Sequence, residues 1–143
     1  MKNYNSIFYT ILLAAALFAG CKGDDPQPET QRVQKLLSSG TWQIDQVWVD
    51  ETDQTSFFTG LTLSFTKDTY ETTNGKAVWP ASGTWEFADD SADKIIRDDG
   101  IEVTVLEVTK TSLKLSLTNP TTVIGSAKAN GLAGAHEFHF VKN

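Results

Sequence analysis

One cysteine, two histidines and no apolar run of membrane-spanning length are the scarcities that first constrain this 143-residue chain. The lone Cys21 excludes an intrachain disulfide framework. The longest apolar stretch, residues 7–19 with one interruption at Thr10, is thirteen residues long. A transmembrane helix needs about 20. No Ser stands in a Gly-x-Ser-x-Gly elbow, no glycine-rich phosphate loop is present, and neither His has an evident acid–Ser partnership, so an enzyme is not expected. Basic residues are also scarce, 12 against 18 acidic, and beyond residue 20 the count is eleven against eighteen, a net −7. That balance argues against nucleic acid and against direct adsorption to anionic headgroups. There is no internal repeat.

What the N-terminus does contain is a secretory pattern. Lys2 supplies a positive start, the thirteen-residue apolar run follows, and Ala19 and Gly20 are small. Leu17-Phe18-Ala19-Gly20-Cys21 resembles a lipobox, in which the cysteine thiol takes a diacylglyceryl group and becomes the new N-terminus. The resemblance implies a signal peptide over residues 1–20 and lipidation of Cys21, with several acyl chains holding the protein on a membrane. Lys22-Gly23-Asp24-Asp25-Pro26-Gln27-Pro28-Glu29, acidic and Pro-rich without apolar residues, reads as an extended tether within residues 21–31. Lys followed by an acidic pair resembles the surface-export signal of Bacteroidota lipoproteins, though a plain solvated linker has the same composition. The expected location is the outer membrane, lipid-anchored and exposed at the cell surface.

Residues 32–143 are expected to form one domain, too short for two. Thr30 to Gly40 reads as a short helix, with Val33, Leu36 and Leu37 on one face, Thr30 as its cap and Gly40 as its stop. From there the pattern turns to period two in eight segments: 41–49 with Trp42, Ile44 and Trp48, then 61–65, 69–73, 84–88, 94–97, 101–108, 113–117 and 136–141. In 101–108 the apolar phase shifts at Leu106 and Val108, which suggests a bulge. Asp99-Gly100 predicts a type I′ hairpin turn, and Asn74-Gly75 is similar. Eight antiparallel strands avoid open edges by closing, so the expected fold is an all-β, eight-stranded antiparallel up-and-down barrel with a short N-terminal helix.

Loop lengths agree with closure. Connections after the second, fourth and sixth strands are short, whereas those after the first, third and seventh (50–60, 74–83 and 118–135) are long. Alternate loops share an end, which makes one end tight and the other open; only Asp98–Gly100, after the fifth strand, breaks the rule. The long loops carry Phe57, Phe58, Val78, Trp79, Val123, Ile124 and Leu132. These either rim a binding mouth or fold back to plug it, and both readings stay open.

Gly40-Thr41-Trp42, directly after the helix, resembles the Gly-x-Trp signature of lipocalins. Leu61-x-Leu-x-Phe65-x-x-Asp-x-Tyr70, Gly83-Thr-Trp85-x-Phe87 and the closing Glu137-Phe-His-Phe-Val-Lys142 look like the lipocalin-like lipoproteins of Bacteroidota. The resemblance covers residues 32–143 and implies that Trp42 packs across the closed end. Lipocalins often stack an Arg on that Trp; here only Lys142 is available for a cation–π contact. The family implies ligand binding more than any defined reaction. The expected function is non-catalytic binding of a small apolar or amphipathic molecule at the mouth, by Phe57, Phe58, Tyr70, Trp79, Trp85, Phe87, Ile124 and Leu132. The alternative is a protein- or glycan-interaction module with a filled barrel.

No cofactor is expected. His136-Glu137-Phe138-His139 invites a metal, but strand residues three apart face opposite ways, so His136 points inward and His139 outward. Asp89-Asp90-Ser91-Ala92-Asp93 has calcium-like ligands without the twelve-residue loop or its terminal Glu, and Asp/Ser clusters ordinarily form turns.

Overall fold

In a computed structural model, residues 26–120 and 133–143 are described. Cys21, Val123, Ile124 and Leu132 lie outside the described residues. The elements are α1 (Glu29–Leu37), β1 (Thr41–Val49), β2 (Thr52–Asp53), a 3₁₀ turn (Thr55–Phe58), β3 (Thr62–Phe65), β4 (Thr69–Thr73), β5 (Ser82–Phe87), β6 (Lys94–Arg97), β7 (Glu102–Val108), β8 (Ser112–Asn119) and β9 (Gly134–Lys142). Consecutive strands pair antiparallel from β3 to β9. β1 closes the ring, pairing with β9 from Trp42↔Lys142 to Val49↔His136 and with β3 over Thr41–Gln43. The result is a closed eight-stranded up-and-down barrel, the lipocalin-like architecture expected, with the two-residue β2 as an addition beside the far half of β1.

The inward faces of the barrel strands are apolar except for Arg97 and His136, and Trp42, Leu63, Phe65, Tyr70, Ile95, Leu113, Leu115, Phe138 and Phe140 belong to one buried cluster. Two bulges adjust this alternation. In β7 the pairing slips between Val105 and Glu107, where the shifted phase predicted it. Leu106 lies within the slip and is 50% exposed, and the shift turns Glu107 outward and returns Val108 to the core side. The second bulge, between Ile44 and Gln46 in β1, corrects the sequence reading. It turns Val47 and Val49 inward and leaves Trp48 38% exposed, because one inserted residue reverses every side chain beyond it.

Three local expectations are also corrected. The helix starts earlier, at Glu29, with Pro28 as N-cap and no side-chain cap, so Thr30 does not cap it. The Asp98–Gly100 connection is not type I′. Gly100 alone has positive φ (+81°), its N–H donates to Arg97 O (2.9 Å), and the Arg97 N–H donates to Ile101 O (3.0 Å). That is a three-residue loop with glycine at its left-handed position. Asn74-Gly75 likewise opens a longer connection, in which a Cβ on Gly75 would stand 2.3 Å from Trp79 O.

Up-and-down order places the turns after β3, β5 and β7 at one end with α1, and those after β1, β4, β6 and β8 at the other. The first end is corked. Val33 and Leu37 of α1 are buried, and the Trp42 indole donates to Leu37 O at 2.9 Å, satisfying a helix-terminal carbonyl. Lys142 Nζ stands 5.8 Å from the Trp42 ring centroid and donates to Ser39 Oγ at 2.7 Å. The glycine of the Gly-x-Trp signature also has a local reason. A Cβ on Gly40 would come within 2.8 Å of Lys142 Cε, pressing the lysine off its ring.

Candidate functional site

The mouth is where binding was expected, and its aromatic residues fold inward. Phe58, on the 3₁₀ turn, is fully buried, with its ring edge-on to Phe138 (5.4 Å) and His136 (6.1 Å). The turn is held by its own polar groups. Asp53 Oδ1 accepts the Thr55 N–H at 2.8 Å, and Thr55 Oγ1 accepts the Val47 N–H at 3.0 Å, a donor the bulged β1 does not give to β3. Val78 and Trp79 descend from the β4–β5 connection, and Trp79, 1% exposed, meets Phe138 (6.0 Å) and Tyr70 (5.9 Å). Below them His136, Phe138 and Phe140 form a column along β9, with stacked rings 5.6 and 6.1 Å apart. Of the two readings of these loop residues, Phe58, Val78 and Trp79 follow the plug.

Phe57 differs. It is 37% exposed at the rim, edge-on to Phe58 (5.2 Å), with Lys76 Nζ 5.5 Å above its ring. Trp85 and Phe87 do not join this group. Trp85 packs on Phe65 (5.6 Å) and Phe87 (5.0 Å) and donates its indole N–H to Thr69 O at 3.1 Å, beside the 66–68 turn of the closed end. The eight residues expected at the mouth therefore divide: Phe57, Phe58, Tyr70 and Trp79 come together, Trp85 and Phe87 belong to the closed half, and Ile124 and Leu132 fall outside the described residues.

The residue that sequence reading passed over is Arg97. It is 3% exposed and ends β6 on the inward side, an orientation already implied by alternation with Ile95. Its guanidinium lies 4.9 Å from the Trp79 centroid and 5.9 Å from that of Tyr70. Nη1 donates to Val78 O at 2.8 Å, Nε donates to Asp99 Oδ1 at 3.1 Å, and Nη2 donates to Asp99 Oδ2. A buried cation thus clamps the plug loop to the β6–β7 turn by a bidentate ion pair and one carbonyl. Burial pushes the Asp99 carboxyl upward, but hydrogen bonds from Arg97 and from the Ile101 N–H, together with the Arg97 charge, hold it below the ordinary carboxylate value. Burial also raises the Tyr70 phenol, against the opposing pull of Arg97. Tyr70 Oη and Trp79 Nε1 are buried with no hydrogen-bond partner among the described residues.

His136 is buried as expected, with Nδ1 3.0 Å from Gly134 O, and outward His139 pairs with Glu137 at 2.6 Å. Among the described residues no group of three or more His, Cys, Asp or Glu is arranged to hold a metal ion. The Asp89 and Asp93 carboxylates are engaged in a turn: Asp89 Oδ1 accepts the Ser91 N–H at 2.8 Å and, with Asp93, the Ser91 hydroxyl. A groove of about 480 Å³ opens at the rim beside Gly100, Ile101, Leu117, Pro120 and His136.

These features define a small closed antiparallel barrel corked at one end by a helix and filled by aromatics at the other. No family model matches the chain, and no curated protein is significantly similar to it.

Proposed function

We propose that the chain is a non-catalytic, lipid-anchored lipoprotein of the outer membrane, of the Bacteroidota lipocalin-like type, which presents the barrel mouth away from the membrane as a contact surface for a protein or glycan. The observation that carries the contact-surface reading is the plug. With Phe58 and Trp79 buried against Phe138, the described interior is occupied by the protein's own side chains. What the rim offers instead is exposed apolar surface, Phe57 and Trp48, among polar neighbours. The anchor rests on the lipobox-like residues before Cys21, and the orientation on the position of α1, which directly follows the tether in sequence, at the closed end.

A second reading has its own support. The rim groove beside Leu117 and His136 is of a size that admits a small amphipathic molecule. Native mass spectrometry of the chain from Lys22 onward, after gentle purification, separates the two. A co-purifying small mass favours the ligand reading. For the contact reading, a photo-crosslinking residue at Phe57 should yield macromolecular adducts in intact cells, and one at Lys94, on the barrel side, should not; equal labelling at both sites would sink it. For the anchor, fatty-acid labelling of the full chain should be lost in Cys21→Ser, and labelling that persists would refute it.

A further inference from the structure

The closed end carries a feature that the proposed function does not use. A groove of about 740 Å³ runs between α1 and the β7–β8 turn, walled by Arg32, Lys35, Lys110 and Lys142 and floored in part by Leu36 and Val108. Every charged side chain that lines it is a cation, in a chain whose net charge is −6. Arg32 is shared with exposed Glu29, and Lys142 is engaged with Ser39 and the Trp42 ring. Lys35 and Lys110 make no ion pair with a carboxylate among the described residues.

We infer that this groove seats an anionic phospholipid, its phosphate facing Lys35 and Lys110 and the start of an acyl chain lying along Leu36 and Val108. Charge complementarity selects an anionic headgroup, and the apolar floor selects a lipid over a free anion, which would gain nothing from Leu36 or Val108. The chain path agrees. Gln27 lines the groove and stands six positions after Cys21 in the sequence, so the two can be at most about 22 Å apart. This last point rests on the anchored-lipoprotein reading; the first two do not. Net charge alone argued against anionic headgroups, but the acidic groups at this end, Glu29, Asp68, Glu107 and those of the 88–93 turn, do not line the groove, although Glu29 shares Arg32. The inference is thus a lipid in one groove and not flat adsorption of the whole pole.

The test uses the chain from Lys22 onward, which holds the entire closed barrel and has no acylated cysteine, so binding is read independently of anchoring. It should cosediment with vesicles of phosphatidylcholine and phosphatidylglycerol at least roughly tenfold more tightly than with phosphatidylcholine alone, and lose that preference as salt rises. Lys35→Gln with Lys110→Gln should remove most of the preference, whereas Lys76→Gln at the mouth should keep it. Should the double variant fail to fold, each single variant gives the same reading. Equal binding to both vesicle types, an undiminished preference in the lysine variants, or displacement by inorganic phosphate as effective as by short-chain phosphatidylglycerol would each overturn the inference. Failure of the anchor alone would appear elsewhere, as fatty-acid label that is absent from the full chain or persists in Cys21→Ser, with vesicle preference intact.

Discussion

The two ends of the barrel are sealed by opposite means. At the closed end each turn is short and fastened by its own hydroxyl or carboxylate: Thr66 accepts the Thr69 N–H, Asp89 that of Ser91, and Thr109 that of Ser112. Over them lies a helix whose apolar face is complete. The mouth is sealed instead by long connections bent inward, with a buried arginine, two unpartnered polar atoms, and four non-glycine residues at positive φ: Asp50, Glu51, Asn74 and Lys76. At the closed end only Ala92 has such a φ among the described residues. Orphaned polar groups cost about 1–3 kcal/mol each, and left-handed backbone of this kind costs of order 1–3 kcal/mol per residue. Such terms persist only where the surroundings over-determine them. The closed end is built for stability at little cost, and the mouth spends stability to keep one shape.

The largest expected effect comes from removing the plug. Trp79→Ala should lower unfolding free energy by about 3–5 kcal/mol, the range for large aromatics truncated in a core, and should loosen Arg97 at the same time. Denaturant unfolding measures it. A loss under about 1 kcal/mol would mean that the mouth is not part of the core and that the contrast between the ends is wrong. Trp79→Phe, which deletes the unpartnered N–H, should cost far less.

Next in size is the clamp. Asp99→Ala strands a buried cation, for which losses of about 3–5 kcal/mol are typical. The Asp99 side chain is 37% exposed, so solvent screening reduces the expected loss to about 2 kcal/mol. The pH dependence has a defined sign. The Asp99 carboxyl is held below its ordinary value in the fold, so its contribution is complete above about pH 4 and is lost as pH falls through the lowered folded value. Wild type and Asp99→Ala should therefore converge in stability as the solution is acidified. A constant gap from neutral pH down to pH 2 would exclude Asp99 as the partner that matters.

Why the closed end was the more legible of the two follows from the range of its interactions. Its turns are Thr-Lys-Asp, Asp-Asp-Ser and Thr-Lys-Thr, which fix themselves within three residues, and its helix face recurs at helical spacing. Strand positions were equally open to reading, because alternation is local. The bulge in β7 announced itself by two apolar residues out of phase, whereas that in β1 did not. Asp45 and Gln46 are both polar and could sit on either side of the shift, so Trp48 was read on the wrong face. At the mouth, the fate of Phe58 and Trp79 depends on what stands opposite them across the barrel, Phe138 and Tyr70, more than fifty residues away in one case. Arg97 was within reach of the alternation rule, but a charged residue at a strand end carries no local sign that a tryptophan from another loop will cover it.

A smaller effect tests the cork. Lys142→Met keeps the aliphatic stem against Gly40 and removes the charge above Trp42 together with the exposed hydrogen bond to Ser39, so the expected loss is about 0.5–1 kcal/mol. Lys142→Arg should match or exceed wild type, since a guanidinium can stack flat on the indole. If Met and Arg behave alike, the contact is packing and not cation–π.

The smallest effect returns to the mouth, at the two-residue turn joining β1 to β2. Glu51 sits at φ +66° next to Asp50 at +46°. Asp50 cannot be spared there, because its carboxylate accepts the Ala135 N–H at 2.9 Å and its own N–H donates to Ala135 O at 2.9 Å, tying the turn to β9. Glu51 makes no hydrogen bond or ion pair among the described residues, so its left-handed conformation is a cost without a compensating contact. Asn adopts that conformation several-fold more readily than other side chains and, unlike Gly, adds little freedom to the unfolded chain. Glu51→Asn should therefore stabilise the barrel by about 0.5 kcal/mol, a rise of about 2 °C in Tm. The corresponding change at a closed-end position of ordinary φ, such as Lys110→Asn, should give no rise. A Tm for Glu51→Asn at or below wild type would show that the mouth turn is not strained, and would remove one of the costs that set it apart from the other end.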